Sequence, residues 1–154
     1  MLITFCKVYN KNYKIVRLSN VIGPGDKNVS AKKNALTYLI NKIKNNKDVD
    51  LYHGGDVIRD FIHVDDASKA IKLVFDKGEN NSIYNIGSGT KIKMIEILNY
   101  VKQVTNSKSK FNSISPPRFH EIVQVRNSYL DITKLKNLGF VREYDIFDAV
   151  KTLL

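Results

Sequence analysis

The sequence predicts an α/β fold, because short strand patterns alternate along it with amphipathic helix patterns. Residues 13–18 form a strand pattern with a β-branched centre, and residues 82–86 form another. Between them, apolar residues recur at helical intervals: Ala67, Ala70, Ile71, Val74 and Phe75. Neither a repeat nor a linker rich in proline, glycine and serine divides the 154 residues, so we expect one α/β unit.

The first third of the chain predicts helix, strand, loop and helix. Residues 2–9 form a weak helix pattern that ends at 10–12, and the strand at 13–18 follows. Residues 23–26 (GPGD) predict a loop. Ser30 is the expected N-cap of a helix that ends at residues 45–47. Its apolar stripe consists of Ala31, Ala35, Leu36, Leu39, Ile40 and Ile43.

Residues 51–66 carry the most unusual chemistry. Gly54 and Gly55 predict a turn, and Phe61, Ile62 and Val64 predict a short strand. The pair Asp65 and Asp66 is typical of a helix start, although two adjacent carboxylates also suit acid/base chemistry. We favour the helix start, and Gly78 is the expected end of that helix.

The last third predicts three more helices. The first uses Met94, Ile97, Leu98, Val101 and Val104. Residues 107–125 have a loose pattern in which Pro116 and Pro117 favour extended backbone. Asp131 and Asp145 are expected to cap two short helices. The apolar residues of these helices are Leu135 and Leu138, then Ile146, Ala149, Val150 and Leu153.

The chain is basic, with 25 Lys+Arg against 15 Asp+Glu and a net charge of +10. Such an excess can indicate a polyanion partner. However, the lysines cluster on the polar side of one helix pattern, and no aromatic residues are interleaved with them. We therefore predict solvated helix faces and no nucleic-acid partner. The lysines concerned are Lys32, Lys33, Lys42, Lys44 and Lys47.

Other sequence features bear on location and metals. No apolar run approaches the roughly 18 residues of a membrane span, so we expect no membrane partner. The N-terminus lacks the pattern of a signal peptide, and the single cysteine, Cys6, fits a reducing cytoplasm. His53, His63 and His120 lack metal-ligand spacing, so we expect no metal site and hydrogen-bonded structural histidines.

Arg59 is the strongest candidate for ligand binding. It lies beside a glycine turn and next to a predicted buried strand, where an arginine contributes little to a core. A planar guanidinium offers a rigid fork of donors that suits phosphate. The alternative is an ion pair with Asp60 or Asp56, and the residues alone leave the two readings even.

Four motifs, in order, resemble extended short-chain dehydrogenases/reductases, specifically their sugar-nucleotide epimerases and dehydratases. Residues 17–24 (RLSNVIGP) resemble the strand and loop after the catalytic helix. Residues 51–66 (LYHGGDVIRDFIHVDD) and 84–89 (YNIGSG) are similar to the segments that follow. Residues 130–140 (LDITKLKNLGF) resemble the closing pattern of the family.

The resemblance implies the C-terminal part of an NAD(P)-binding Rossmann-like domain plus the smaller α/β substrate-binding domain. Residues 1–29 and roughly 48–87 would include remnants of the Rossmann-like domain. Residues 30–47 and 88–154 would mainly form the substrate-binding part. The implied partner is a nucleotide-diphosphate sugar of UDP or dTDP type, and the implied cofactor is NAD or NADP.

The resemblance also implies residue roles. Asn20 would hydrogen-bond the sugar diphosphate, Arg59 would grip the diphosphate, and Tyr52 would lie against the base. Arg118 and Glu121, on a weaker match, would contact phosphate and ribose; the alternative for Arg118 is a solvated loop arginine. The implied cofactor contacts, near the nicotinamide ring, are Val21 and Ile22.

Two departures from the family pattern leave the substrate open. Lys93 stands near the place of a usual serine or threonine helix cap, and His53 replaces a common glycine. The glycine-rich turn G-x-G-x-x-G is absent, so Gly87–Gly89 and Gly23–Gly25 are interpreted as turn glycines.

The family's catalytic Tyr-x-x-x-Lys is not found before the first strand. Residues 38–42 match that pattern at Tyr38 and Lys42, but they follow the first loop instead of preceding the first strand, so we reject them as the catalytic pair. We expect no catalysis and no tight NAD binding by this chain alone. The alternative is a stand-alone nucleotide-sugar-binding or interaction module. An exposed apolar face is expected, hence a homo-oligomer or pairing with a missing N-terminal half.

Overall fold

The computed structural model describes residues 1–25, 30, 33–123 and 125–154, and it is a mixed α/β structure with parallel strand pairs, as predicted. Its helices are α1 (Leu2–Val8), α2 (Ala35–Lys44), α3 (Val64–Lys77), α4 (Met94–Val104), α5 (Arg118–Val123), α6 (Thr133–Lys136) and α7 (Ile146–Lys151). Its strands are β1 (Lys14–Leu18), β2 (Asn20–Ile22), β3 (Val49–Tyr52), β4 (Ile58–Arg59), β5 (Phe61–His63), β6 (Ser82–Ile86), β7 (Ile92–Lys93) and β8 (Phe111–Ile114).

The strand pairing changes partner at Ser19. β1 pairs in parallel with β6, whereas β2, one residue later, pairs in parallel with β5. The Ser19 amide still donates to Ile86 O (2.8 Å), and the next amide, of Asn20, donates to Asp60 O (3.2 Å). Polar groups at the carboxyl end of β1 are therefore held between two neighbouring strands, which is where open α/β sheets bind ligands.

Two further pairs bring later segments to the same region. β3 and β8 are parallel, with Tyr52 opposite Ile114. β4 and β7 are antiparallel, with Arg59 opposite Ile92. Residues that follow β8 are thus carried to the end of β3, and β4 is held beside the start of α4.

The apolar side chains form two core clusters. One lies among α2, β3, α4 and α7, and the other among α3, β6 and α6. The predicted helical stripes supply most of the first cluster and four of the nine buried residues of the second, because their helical spacing puts them on one face. In α3, however, Ile71 is 41% exposed and Phe75 is 77% exposed, so the predicted stripe is only partly buried. The division into Rossmann-like and substrate-binding residues stays a prediction.

The start of α2 differs from the prediction. The helix begins at Ala35 with Asn34 as its N-cap residue, in the left-handed region at φ 56°. Ser30 does not cap it, because its hydroxyl accepts a hydrogen bond from the Lys33 amide in a small local bridge (3.1 Å). The predictions for Ala31 and Asp26 lie outside the described residues.

The start of α3 also corrects the prediction. Val64 is the first residue of the helix, and the N-cap is His63, whose Nδ1 accepts from the Asp65 amide (3.3 Å). Asp65 and Asp66 lie in the first turn and not at the cap. The buried Asp66 carboxylate instead accepts the amides of Glu143 (3.0 Å) and Tyr144 (3.1 Å), and so ties the segment before α7 to α3.

Residues 107–125 are more ordered than their sequence predicts. They contain β8 and α5, because Pro117 O accepts the amides of His120 (2.8 Å) and Glu121 (3.1 Å) and so starts a short helix directly after the prolines. The predicted cap at Asp145 is confirmed, since its carboxylate accepts the Asp148 amide (2.8 Å). Within the described residues, no helix is both long and apolar enough to cross a bilayer.

Candidate functional site

A cleft of about 740 Å³ opens where β2, β3, β4 and the first turns of α2 come together beneath α5. Its polar lining consists of Asn20, Asn34, Asp50 and Arg59. Its ring-bearing lining consists of Tyr38, Tyr52, Phe61 and His120. Its aliphatic lining is Val21, Ala35, Leu36, Leu39, Leu51, Val57 and Met94, with Gly55 at the turn. Mostly apolar walls with a few convergent polar groups are typical of small-ligand sites.

Arg59 is the cationic side chain among the lining residues described. Its Nη1 donates to Ile58 O (2.9 Å) and Arg126 O (2.6 Å). Among the described residues, no carboxylate lies within ion-pair distance of it. Partial burial lowers the pKa of the guanidinium below its ordinary value, yet arginine stays charged at neutral pH. A positive charge with unused donors therefore lines the cleft.

The two carboxylates that could have neutralised Arg59 have other partners. Asp56 pairs with Lys93 (2.8 Å) and lies 3.7 Å from Arg126. The hydrogen bond from Lys93 holds the pKa of Asp56 below its usual value. Lys93 is the N-cap residue of α4, but its side chain makes no capping bond. The ion-pair alternative for Arg59 is therefore wrong.

Asp60 is buried, with 1% exposure, and its carboxylate is fully engaged within the chain. Oδ1 accepts the amide of Ser88 (2.9 Å) and its hydroxyl (2.7 Å). Oδ2 accepts the amides of Gly89 (3.3 Å) and Leu130 (3.2 Å). Four donors satisfy a buried charge that would otherwise be costly. Asp60 thereby fixes the strand that carries Arg59.

In the Gly87–Gly89 turn the amides of Ser88 and Gly89 are therefore not available to a phosphate. A Cβ added to Gly87 would lie 2.5 Å from Asp60 Oδ2, so the absent side chain makes room for this carboxylate. The turn amides of Ser88 and Gly89 both point to Asp60. An internal carboxylate takes the place that a phosphate would occupy in a binding loop, which agrees with the interpretation of these residues as turn glycines.

Asn20 and Val21 line the cleft from β2, but Ile22 does not. The Asn20 side-chain amide donates to Asp60 O (2.9 Å), which leaves its second N–H and its oxygen for other partners. Val21 presents an apolar wall. Ile22 is buried in the core between α2 and α4, with 3% exposure, because successive strand residues face opposite sides.

Tyr52 lines the cleft at the end of β3, next to His120. The two rings meet edge to face, with centroids 5.6 Å apart and an interplanar angle of 83°. Beyond Tyr52 the chain turns through His53 and Gly54, both with positive φ, at 51° and 63°. Glycine adopts this backbone conformation more easily than histidine does. A glycine is therefore the residue expected at position 53 from the family resemblance, and His53 takes up the same conformation at some cost.

Arg118 and Glu121 lie on α5 and are exposed, outside the lining of the cleft. The same helix contributes His120 to the lining instead. His120 also departs from the expectation of a hydrogen-bonded histidine, because its Nδ1 is buried and has no hydrogen-bond partner among the described residues. His63 fits that expectation, with partners at Asp65 N and Thr152 Oγ1.

Sequence reasoning missed several lining residues. Tyr38 lines the cleft from α2, although it was considered only as half of a rejected catalytic pair. Asp50 lies within the four-residue strand β3 and Val57 directly precedes the two-residue strand β4, and neither segment carries a periodic signal. For His120 the sequence did offer a signal, because this histidine follows two prolines and lies two residues after an arginine. Within the described residues, no group of three or more histidine, cysteine or acidic side chains could hold a metal.

Fold and cleft together define a portion of a Rossmann-like α/β protein. A family model described as NAD dependent epimerase/dehydratase matches residues 1–87, more than half of the chain. The chain belongs to the NAD-dependent epimerase/dehydratase family.

Relatives with known names agree with this assignment. CDP-abequose synthase from Salmonella muenchen is 34% identical over 90% of this chain and 46% of its own length. UDP-N-acetyl-alpha-D-glucosaminuronate decarboxylase from Bacillus cytotoxicus is 32% identical over 80% of this chain and 39% of its own. The crystal structure of UDP-glucose 4-epimerase from Thermotoga maritima with UDP-glucose superposes with a TM-score of 0.86 at 25% identity, over 99% of this chain and 48% of that one. The chain spans about half the length of the curated relatives it matches.

Proposed function

We propose that the cleft binds the diphosphate of a UDP- or dTDP-type sugar, and that this chain is the substrate-binding portion of an NAD-dependent epimerase/dehydratase. The observation that carries the proposal is Arg59, a charged side chain without an ion pair among the described residues, in a cleft of about 740 Å³. The family assignment and the names of the relatives support the ligand class.

The chemistry of the lining residues suits this ligand. The remaining N–H groups of Arg59 form a rigid fork that matches two phosphate oxygens. The second N–H of Asn20 adds a donor on the same side of the cleft. The Tyr52 ring offers a flat surface for a base. Arg118 and Glu121 are proposed to contact phosphate and ribose from α5, which requires their exposed side chains to turn toward the bound ligand.

In such an enzyme the protein holds a sugar carbon against the cofactor, and distant phosphate contacts fix that geometry. NAD or NADP, when bound, supplies the hydride acceptor. The residues present fit only the ring end of a dinucleotide, because Val21 offers an apolar wall while the amides of the Gly87–Gly89 turn serve Asp60. Ile22, buried in the core, would act by supporting Val21. Weak cofactor binding and no catalysis by this chain alone are expected.

The remaining parts of the proposal concern partners and location. The proposed protein partner is either a second copy of the chain, in a homo-oligomer, or a polypeptide equivalent to the other half of the relatives, and only the latter would complete the enzyme. A cytoplasmic location fits the buried thiol of Cys6. The alternative function is a stand-alone nucleotide-sugar-binding or interaction module, which has the same cleft and lacks any catalytic partner.

Calorimetry with UDP-glucose, dTDP-glucose and NAD tests the proposal. Arg59→Gln removes the positive charge and the paired N–H donors of the guanidinium. We therefore expect the affinity for either nucleotide sugar to fall about tenfold or more. Arg142→Gln is the matched control, since Arg142 donates to Thr90 Oγ1 and does not line the cleft. Equal binding by the Arg59 variant and the unmodified chain would overturn the assignment of Arg59 as the clamp.

A second measurement separates the proposed function from its alternative. Mixing the chain with the N-terminal half of a relative should restore turnover of a nucleotide sugar if the chain is part of an enzyme. Tight nucleotide-sugar binding without any gain of turnover in such mixtures would favour the stand-alone binding module.

A further inference from the structure

We propose that His120 is a specificity-determining residue that hydrogen-bonds the nucleoside end of the bound ligand. This inference rests on the proposed function of the cleft and extends it to a residue that neither the family match nor the other lining residues single out.

The fold places His120 over the end of β3. Parallel pairing of β3 and β8 sets Tyr52 opposite Ile114, and the chain then turns through two prolines into α5. Because Pro117 O accepts the His120 amide at 2.8 Å, the helix starts at once and brings the imidazole to Tyr52. The edge-to-face contact of these two rings (5.6 Å) holds the imidazole at the cleft wall.

The imidazole has hydrogen-bonding capacity that the described chain does not use. Its Nδ1 is shielded from solvent and has no partner among the described residues, and no described group bonds its Nε2. Buried polar side-chain atoms in proteins are bonded in the large majority of cases, so such an atom calls for an explanation. Because the ring also lines the cleft, a turn about its Cβ–Cγ bond on ligand binding brings this nitrogen to a ligand group, which provides one.

The segment after α5 ties His120 to the phosphate clamp. Arg59 donates to Arg126 O (2.6 Å). Ile58 accepts from Ser128 N (3.0 Å) and donates to Asn127 Oδ1 (3.0 Å). Residues 126–128 therefore hold the chain that follows α5 against β4. The imidazole of His120 and the guanidinium of Arg59 line the same cleft.

The end of the cleft near His120 suits a nucleoside better than a sugar. It presents the rings of Tyr52 and His120, with the Asp50 carboxylate close to the same strand end. Aromatic edges and faces favour a planar base, and an imidazole can donate to or accept from the base or the ribose. With the diphosphate held by Arg59, the nucleoside extends toward His120.

Calorimetry with UDP and with inorganic pyrophosphate tests the inference. His120→Phe keeps a ring against Tyr52 but removes both nitrogens, so we expect about a fivefold weaker affinity for UDP and unchanged affinity for pyrophosphate. His120→Gln, which restores a polar group, should bind UDP within about twofold of the unmodified chain. Ile122→Ala is the matched control, because Ile122 is exposed on the same helix and does not line the cleft.

The outcomes distinguish this inference from the proposed function. Equal UDP affinity of His120→Phe and the unmodified chain overturns the role of His120 while the phosphate clamp stands. Equal losses for UDP and pyrophosphate also overturn it, because they indicate a disturbed fold rather than a lost nucleoside contact. Binding of neither probe by the unmodified chain overturns the proposed function, and this inference with it.

Discussion

Among single residues, Asp60 links the strand of the clamp to two loops. Its carboxylate accepts four hydrogen bonds from Ser88, Gly89 and Leu130, and its carbonyl accepts two from Asn20. The residue that precedes it is Arg59. The position of the guanidinium thus depends on a buried negative charge that never contacts it.

Asp60→Asn should lower the free energy of unfolding by about 2 kcal/mol. The substitution removes the negative charge, and the new side-chain NH₂ group faces backbone N–H groups that need an acceptor. Urea denaturation measures the change. Asp76→Asn is the control, since Asp76 is paired with Lys72 on the exposed side of α3 and should cost less than about 0.5 kcal/mol. An Asp60→Asn protein as stable as its control would contradict the structural role of the carboxylate.

At the residue scale, the sequence indicated which side chains could bind a ligand better than it indicated which residues contact them in the fold. Arg59 was singled out as a ligand-binding candidate from its residue type and its place beside a glycine turn, while the residues alone left an ion pair with Asp60 or Asp56 equally open. The partners of Asp60 could not be predicted, since Ser88 and Leu130 reach it only after β5, β6 and the later loop have come together. His120 was missed for the same reason, as its contact with Tyr52 follows from the pairing of β3 with β8.

At the scale of elements, α3 holds the C-terminal part of the chain through its first turn. The buried Asp66 carboxylate accepts the amides of Glu143 and Tyr144, and the His63 ring stacks on Tyr144 with centroids 3.9 Å apart. The His63 Nε2 also lies 3.3 Å from Thr152 Oγ1. These contacts join the N-terminus of α3 to both ends of α7.

Asp66→Asn should destabilise the protein by about 1–3 kcal/mol, because one of the two amides loses its acceptor in a buried place. Hydrogen exchange should quicken first at Glu143 and Tyr144, which report the local opening. Asp65→Asn is the matched control, since the Asp65 side chain is 58% exposed. If both variants exchange alike, the tether from α3 to this segment is not important for stability.

The length of an element decided whether the sequence could predict it. α3 and α4 run for 14 and 11 residues, long enough for helical periodicity to show. β2, β4 and β7 have three or two residues each, too short for any alternation, and their pairing comes from distant partners. α5 was expected to be extended because two prolines precede it, yet proline favours the first turn of a helix as much as extended chain.

At the scale of the whole molecule, the most conspicuous surface is an exposed apolar face on α1 and the end of β1. It consists of Leu2, Phe5, Val8, Tyr9 and Leu18, each between 49% and 70% exposed. Exposed apolar side chains of this kind mark an interaction site or a tendency to associate. The exposed face agrees with the sequence-based expectation of an exposed apolar surface. Which partner covers it, a second copy of the chain or a missing N-terminal half, stays a prediction.

The chain alone should therefore self-associate and bind a hydrophobic dye. The double variant Phe5→Lys, Val8→Lys should lower both self-association and dye binding, because two charges on this face oppose its burial against another apolar surface. Sedimentation velocity and dye fluorescence measure the effect. Val141→Lys is the control, since Val141 is 80% exposed and lies on the loop before α7. A monodisperse monomer with low dye binding would contradict the expectation.

The parallel strand pairs also constrain how the chain is made. Among the described residues, β1 pairs with β6, with Lys14 opposite Ser82, and β3 pairs with β8, with Val49 opposite Phe111. During synthesis from the N-terminus, each early strand must wait until a distant segment has emerged, and closing such long loops slows folding. The nascent chain therefore keeps β1 and β3 without these partners until β6 and β8 have been made, and this interval exposes it to misassembly.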